Sequence, residues 1–174
     1  VMPWTTSTNV FSLGVASGEP RPDSVVLWTR LAPLPSMADG GMPPRPVYVI
    51  WEVAHDEKFF RVARSGSTLA LPERAHALHL DVEGLAPGRE YFYRFIAAGH
   101  VSPIGRTRTA PDPASRPARL KMALASCQHY EAGHFTLHRE MAEADLDLVL
   151  FVGDYIYDTE LPGMHRRRQH PHVF

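Results

Sequence analysis

The chain has 174 residues, 44% of them hydrophobic, and a net charge of −1 with histidines neutral. This composition is that of a folded protein, leaves room for one large domain or two small ones, and gives no support to a general nucleic-acid-binding surface. No apolar run reaches the ~18 to 20 residues of a membrane-spanning helix, and a single cysteine, Cys127, excludes an internal disulfide.

The chain begins at Val1 and contains no signal peptide, so it is expected to be mature, truncated or cytoplasmic. From residue 11 to about 110, short β-branched or aromatic runs alternate with Gly, Pro and Asp, and no helical period appears. Residues 11–16, 24–31, 47–54, 61–69, 76–82, 91–97 and 105–109 are the predicted strands. About seven short strands predict an all-β sandwich of the fibronectin III or immunoglobulin type over 1–110. Within Tyr91-Phe92-Tyr93-Arg94-Phe95 the odd positions suit a core face and Arg94 the other. The preceding Leu85-Ala86-Pro87-Gly88 makes Tyr91 a candidate tyrosine corner, its hydroxyl bonded back across the loop. Trp28 and Trp51 sit in apolar runs and are expected in the core. Residues 33–46, rich in Gly, Met and Pro, form a long inter-strand loop, read as an insertion rather than a lid.

Three prolines between Pro111 and Pro117 remove backbone donors and mark a linker over 111–118. Residues 119–174 then change period. Residues 120–126 form an apolar run ending at Cys127, residues 134–144 carry an amphipathic helical pattern, and residues 148–152 are a continuous apolar run expected to be a strand covered on both faces. Strand, helix, strand is a βαβ unit with parallel strands.

Parallel strands end on one edge, so Cys127 and Asp154 are predicted to meet at the same rim of the sheet, where open α/β sheets place ligands. A thiolate and a carboxylate there suit a metal: sulfur favours iron or zinc, and the carboxylate can bridge to a harder cation. Tyr157 adds a phenol suited to ferric iron. A cysteine-nucleophile phosphatase is excluded, because the position of its phosphate-cradling Arg is Gly133. His134 and His138 lack the Glu of a His-Glu-x-x-His zinc motif, where Phe135 stands, and are read as solvent-facing or packing residues. No Walker-type loop occurs. The basic run over 165–172 is read as a solvated terminus.

Taken in order, Phe-Ser-Leu-Gly-Val-Ala-Ser-Gly-Glu-Pro (11–20), Val-Val-Leu-Trp-Thr-Arg (25–30), Leu-Ala-Pro-Gly-Arg-Glu-Tyr-Phe-Tyr-Arg-Phe (85–95), Ala-Ser-Cys-Gln (125–128) and Val-Gly-Asp-Tyr-Ile-Tyr (152–157) resemble the PhoD-type alkaline phosphatase/phosphodiesterase family. The resemblance implies a fibronectin-like domain followed by a calcineurin-like metallophosphoesterase domain, exported to the periplasm or cell surface by the twin-arginine route. It implies iron (Fe3+) held by Cys127, Asp154 and Tyr157, with Asp154 shared between ions and catalytic, calcium completing the site, and a phosphate ester as substrate. Another divalent metal is compatible with the same ligands. Asp158 and Phe151 stand where the family more often has Glu and His. The family's later Asp-Asp-His-Glu region, an Asn ligand and downstream histidines do not occur. Residues 119–174 are therefore expected to be the front of a larger catalytic domain, inactive alone, since a self-sufficient domain takes ~100 or more residues. The competing expectation is a non-catalytic binding or adhesion module acting through the sandwich.

Overall fold

The computed structural model describes residues 4–157, 159–161 and 167–168. Two compact units divide the chain, Val1–Arg116 and Pro117–Phe174. Among the described residues no helix is long and apolar enough to cross a membrane.

The first unit is a sandwich of two antiparallel sheets. One holds β1 (Val15–Gly18), β2 (Ser24–Arg30) and β5 (Ala77–Glu83), in the order β1-β2-β5. The other runs β4-β3-β6-β7, from β4 (Val62–Ala70), β3 (Val47–Ala54), β6 (Glu90–Ala97) and β7 (His100–Val101), while β8 (Gly105–Arg108) pairs with the first half of β6. Period-2 alternation drives this arrangement: Tyr91, Tyr93, Phe95 and Ala97 of β6 are buried, and the residues between them are not. Val25 and Leu27 from one sheet meet Val49, Val53, Tyr93 and Phe95 from the other in a single core.

The corner at Tyr91 forms. Its buried hydroxyl accepts a hydrogen bond from the Ala86 N–H at 2.8 Å, so the loop before β6 is pinned to the strand it feeds. Trp51 packs at the core margin directly opposite Gly66, whose missing Cβ makes room for the indole. Trp28 departs from expectation. It lies on the face of β2 opposite to buried Val25, Leu27 and Thr29, only half-buried and outside the core cluster, because two-residue periodicity turns it outward.

Local features of the sandwich refine these expectations. The first strand starts at Val15 rather than 11: Asn9 Oδ1 accepts from the Phe11 N–H and Gly14 takes a positive φ, so Phe11 enters the core from a turn. The small strand β7 was not predicted. It folds back on β6 through Ala98 and Gly99, both at positive φ, the two-residue turn that twists with the strands. The 33–46 loop is closed on itself by Leu34 N–H to Gly40 O and Met37 N–H to Leu34 O, and is anchored by Met42, buried in the core.

The second unit contains β9 (Met122–Ala125), a one-turn 3-10 segment (Tyr130–Ala132), α1 (Thr136–Glu143) and β10 (Leu148–Phe151). β9 and β10 are parallel, with Met122 opposite Leu148 and Ala125 opposite Phe151. Asp147 prepares this pairing: its carboxylate accepts from the Lys121 N–H at 3.0 Å just before the ladder begins. The expectation that 148–152 is covered on both faces is not met. Val149, Leu150, Phe151 and Val152 are exposed, since among the described residues no third strand flanks the pair and no buried residue of α1 covers it.

Candidate functional site

Past the paired strands the two chains keep exchanging backbone bonds. Val152 N–H donates to Ala125 O, Cys127 N–H to Gly153 O at 3.3 Å, and Gln128 N–H to Asp154 O at 3.1 Å. The rim is therefore stitched beyond the sheet proper, and Cys127 and Asp154 stand side by side. Both adopt left-handed backbone, with φ 56° and 49°, and Gly153 between the strand and Asp154 has φ 136°. Such conformations cost about 1–3 kcal/mol at a non-glycine residue and persist only where surrounding contacts impose them.

The three predicted ligands converge on one atom. Asp154 Oδ2 accepts from the Tyr157 hydroxyl at 2.7 Å and from the Cys127 thiol at 3.4 Å. The bond from Tyr157, and then that from Cys127, hold the Asp154 carboxyl below its usual range, and the same bond seen from the phenol pushes Tyr157 well above its own. Cys127 and Asp154 face solvent, whereas Tyr157 is half-buried.

The donor chemistry suits a cation. Two acidic protons, on sulfur and on phenol, point at one carboxylate oxygen; a cation seated there would replace both and leave one soft and two hard anionic donors. Beside Cys127, Gln128 donates through Nε2 to Tyr155 O, while its Oε1 is buried with no hydrogen-bond partner among the described residues, an acceptor that an ion or water would satisfy. Among the described residues no three His, Cys, Asp or Glu side chains form a ligand cluster.

A cleft of about 830 Å³ opens beside the rim, lined among others by Ala123, Cys127, His129, Phe135, His138 and Phe151. His138 is a packing residue: its ring stacks on Phe135 at 5.2 Å and meets the edge of Phe151 at 6.0 Å. His134 is exposed. Of the basic run, Arg167 and Arg168 are described, and residues 165, 166 and 169–172 lie outside the described residues, as does Asp158. Arg168 is not a solvated terminal charge. Its guanidinium lies 4.0 Å from the Tyr130 ring centre and 4.5 Å from that of Phe135, and its Nε donates to Tyr130 O.

His129 and Glu131 carry no motif and were not singled out from sequence. His129 is buried, stacks on Tyr157 at 4.8 Å, and caps the 3-10 turn. Glu131 is fully buried and accepts from the Leu161 N–H at 2.8 Å. A helix-type cap at His129 is invisible in sequence because histidine is not among the usual capping residues.

Two family models match the chain: PhoD-like phosphatase, N-terminal domain, over residues 3–111, and PhoD-like phosphatase over residues 122–173. Alkaline phosphatase D of Bacillus subtilis (strain 168) is 49% identical over 152 residues, which is 87% of this chain and 26% of that protein. A solved structure of PhoD superposes with a TM-score of 0.92 at 45% identity, covering 96% of this chain and 33% of that one. The chain thus spans about a quarter of the curated relative and a third of the solved one.

Proposed function

Because the chain belongs to the PhoD-like phosphatase family, we propose that it forms the front part of a metal-dependent hydrolase of phosphate mono- and diesters, with Cys127, Asp154 and Tyr157 as metal ligands. The observation that carries this reading is the convergence of a thiol and a phenol on the single oxygen Oδ2 of Asp154. Thiolate, carboxylate and phenolate together would suit ferric iron, and a carboxylate oxygen would also suit a harder cation such as calcium. When bound, the ions supply neutralisation of phosphoryl-oxygen charge and activation of the attacking water.

The chain's own part is to hold these donors apart from bulk flexibility. The bonds from Cys127 and Gln128 to the carbonyls of Gly153 and Asp154 fix the spacing of the two strand ends, so the ligands need little reorganisation on binding.

We further propose that these residues alone hydrolyse esters poorly or not at all. An isolated two-stranded sheet is marginal in water, and parallel sheets are normally covered on both faces. Here Leu124 is 71% exposed and β10 is exposed from Val149 onward, which supports further polypeptide completing both sheet and site. Export to the periplasm or cell surface rests on the family resemblance.

Metal analysis and hydrolysis of chromogenic phosphate mono- and diesters test the proposal, comparing this chain with a longer polypeptide that continues it. In the longer protein Asp154→Asn is expected to lose more than the roughly 10- to 100-fold that removal of an outer-shell partner costs, with Cys127→Ser also impaired. Robust turnover by the 174-residue chain would overturn the incompleteness claim. Unchanged metal content and activity in both variants would overturn the ligand assignment.

A further inference from the structure

Tyr157 reaches Asp154 from a segment without regular secondary structure, so something outside that segment must hold its ring. The ring stacked on it is the imidazole of His129, with centroids 4.8 Å apart and planes at 29°. The imidazole is itself held at both nitrogens. Nδ1 accepts from the Glu131 N–H at 3.2 Å, and Nε2 lies 2.9 Å from Thr159 O. An amide N–H only donates and a carbonyl only accepts, so Nε2 carries the proton and Nδ1 the lone pair. One ring thus ties the turn following Cys127 to the backbone two residues past Tyr157, with the phenol against its face.

The same bracket continues on either side. Leu161 N–H donates to Glu131 Oε2, and Arg167 and Arg168 N–H both donate to Glu131 O. Residues 129–131 therefore act as a clamp for the chain that carries Tyr157.

We propose that His129 is a positioning residue that sets the pose of Tyr157 and so keeps its hydroxyl on Asp154. Its relevance to metal binding rests on the ligand role proposed above; the pose itself does not. Because the imidazole touches the ring face rather than the oxygen, the pose survives replacement of the phenolic proton by a cation. A mere cap would serve the 3-10 turn through Nδ1 and leave Tyr157 indifferent to what stands at 129.

Two substitutions separate these roles. His129→Asn retains a side-chain acceptor for the Glu131 N–H but removes the stacked ring; His129→Phe retains a ring and removes both hydrogen bonds. The readout is the fluorine NMR resonance of Tyr157 in a metal-free longer polypeptide that continues this chain, labelled with 3-fluorotyrosine, and identified by its loss in Tyr157→Phe. In the parent chain that resonance is expected away from the free amino acid. His129→Asn is expected to bring it to the free value, and His129→Phe to keep it near the parent position. Titration with ferric ion alone, followed by the visible absorption of an iron-bound phenolate, is expected to show affinity weakened about 10- to 100-fold in His129→Asn and less in His129→Phe. A parent-like resonance in folded His129→Asn overturns the proposal, whatever the iron titration shows. If the resonance moves while iron binding is the same in all variants, Tyr157→Phe included, positioning stands and the ligand reading of Tyr157 fails. Should His129→Asn not fold, His129→Phe decides alone: a parent-like resonance supports the proposal and a free value overturns it.

Discussion

The sandwich and the βαβ segment use their apolar residues in opposite ways. In the sandwich, inward positions of β2, β3 and β6 are buried almost without exception, and valines, tyrosines and Phe95 share one core. In the second unit neither strand nor helix has a buried residue, and the buried side chains among those described are His129 and Glu131, both polar. Apolar area removed from water stabilises the first unit. The second is ordered chiefly by hydrogen bonds around its rim, where net stabilisation per bond is small but geometry is specific. A rim can thus be well defined while the sheet behind it, among the described residues, lacks a cover.

Substitutions can break this contrast. All three tryptophans lie in the first unit, so fluorescence-monitored denaturation reports on it alone. The largest effect is expected from Phe95→Ala, which should cost the sandwich about 3–5 kcal/mol through the cavity left at a fully buried ring. Loss well below that range would mean the core is less close-packed than the burial indicates. Tyr91→Phe comes next, at about 1–3 kcal/mol, because the Ala86 N–H loses its acceptor in a part-buried corner. An unchanged denaturation midpoint would assign the corner no energetic role.

A pH experiment sharpens the same point. Burial pushes the Tyr93 hydroxyl up to about 12 from the ordinary ~10 of tyrosine. The folded value is the higher one, so between the two the unfolded chain has lost a proton that the folded chain keeps. Stability from this group is complete below the ordinary value and is lost as pH rises towards about 12. Tyr93→Phe should flatten the decline over that window, measured as the difference between the two denaturation curves. Identical slopes would show that the hydroxyl stays solvated. The smallest effect is expected for Leu124→Ala, within about 0.5 kcal/mol in this chain, read from amide exchange of the second unit. In a longer polypeptide that covers β9 the same change should cost about 2–5 kcal/mol. A large loss in the short chain would break the comparison, since it would mean that β9 is already packed.

The architecture was legible where the signal is local or periodic. Alternation in β6 and the loop before Tyr91 act within a few residues, and parallel pairing of β9 with β10 follows from the connection between them. The meeting of Cys127 with Asp154 was legible for the same reason, because parallel strands share an edge. Trp28 was misread since an apolar run does not say which of its faces is inward. The turn at Ala98 and Gly99 was missed because alanine rarely accepts positive φ.

The sequence by itself determined a sandwich, a parallel pair and the two strand ends that carry Cys127 and Asp154, because hydrophobic period and chain connectivity are properties of neighbours along the chain. Tertiary structure alone decided that both residues take left-handed backbone, that Tyr157 turns its hydroxyl onto the same carboxylate oxygen, and that His129 lies against its ring. Those contacts join residues up to about thirty positions apart through directional bonds, and direction in space has no counterpart in a pattern of residue types.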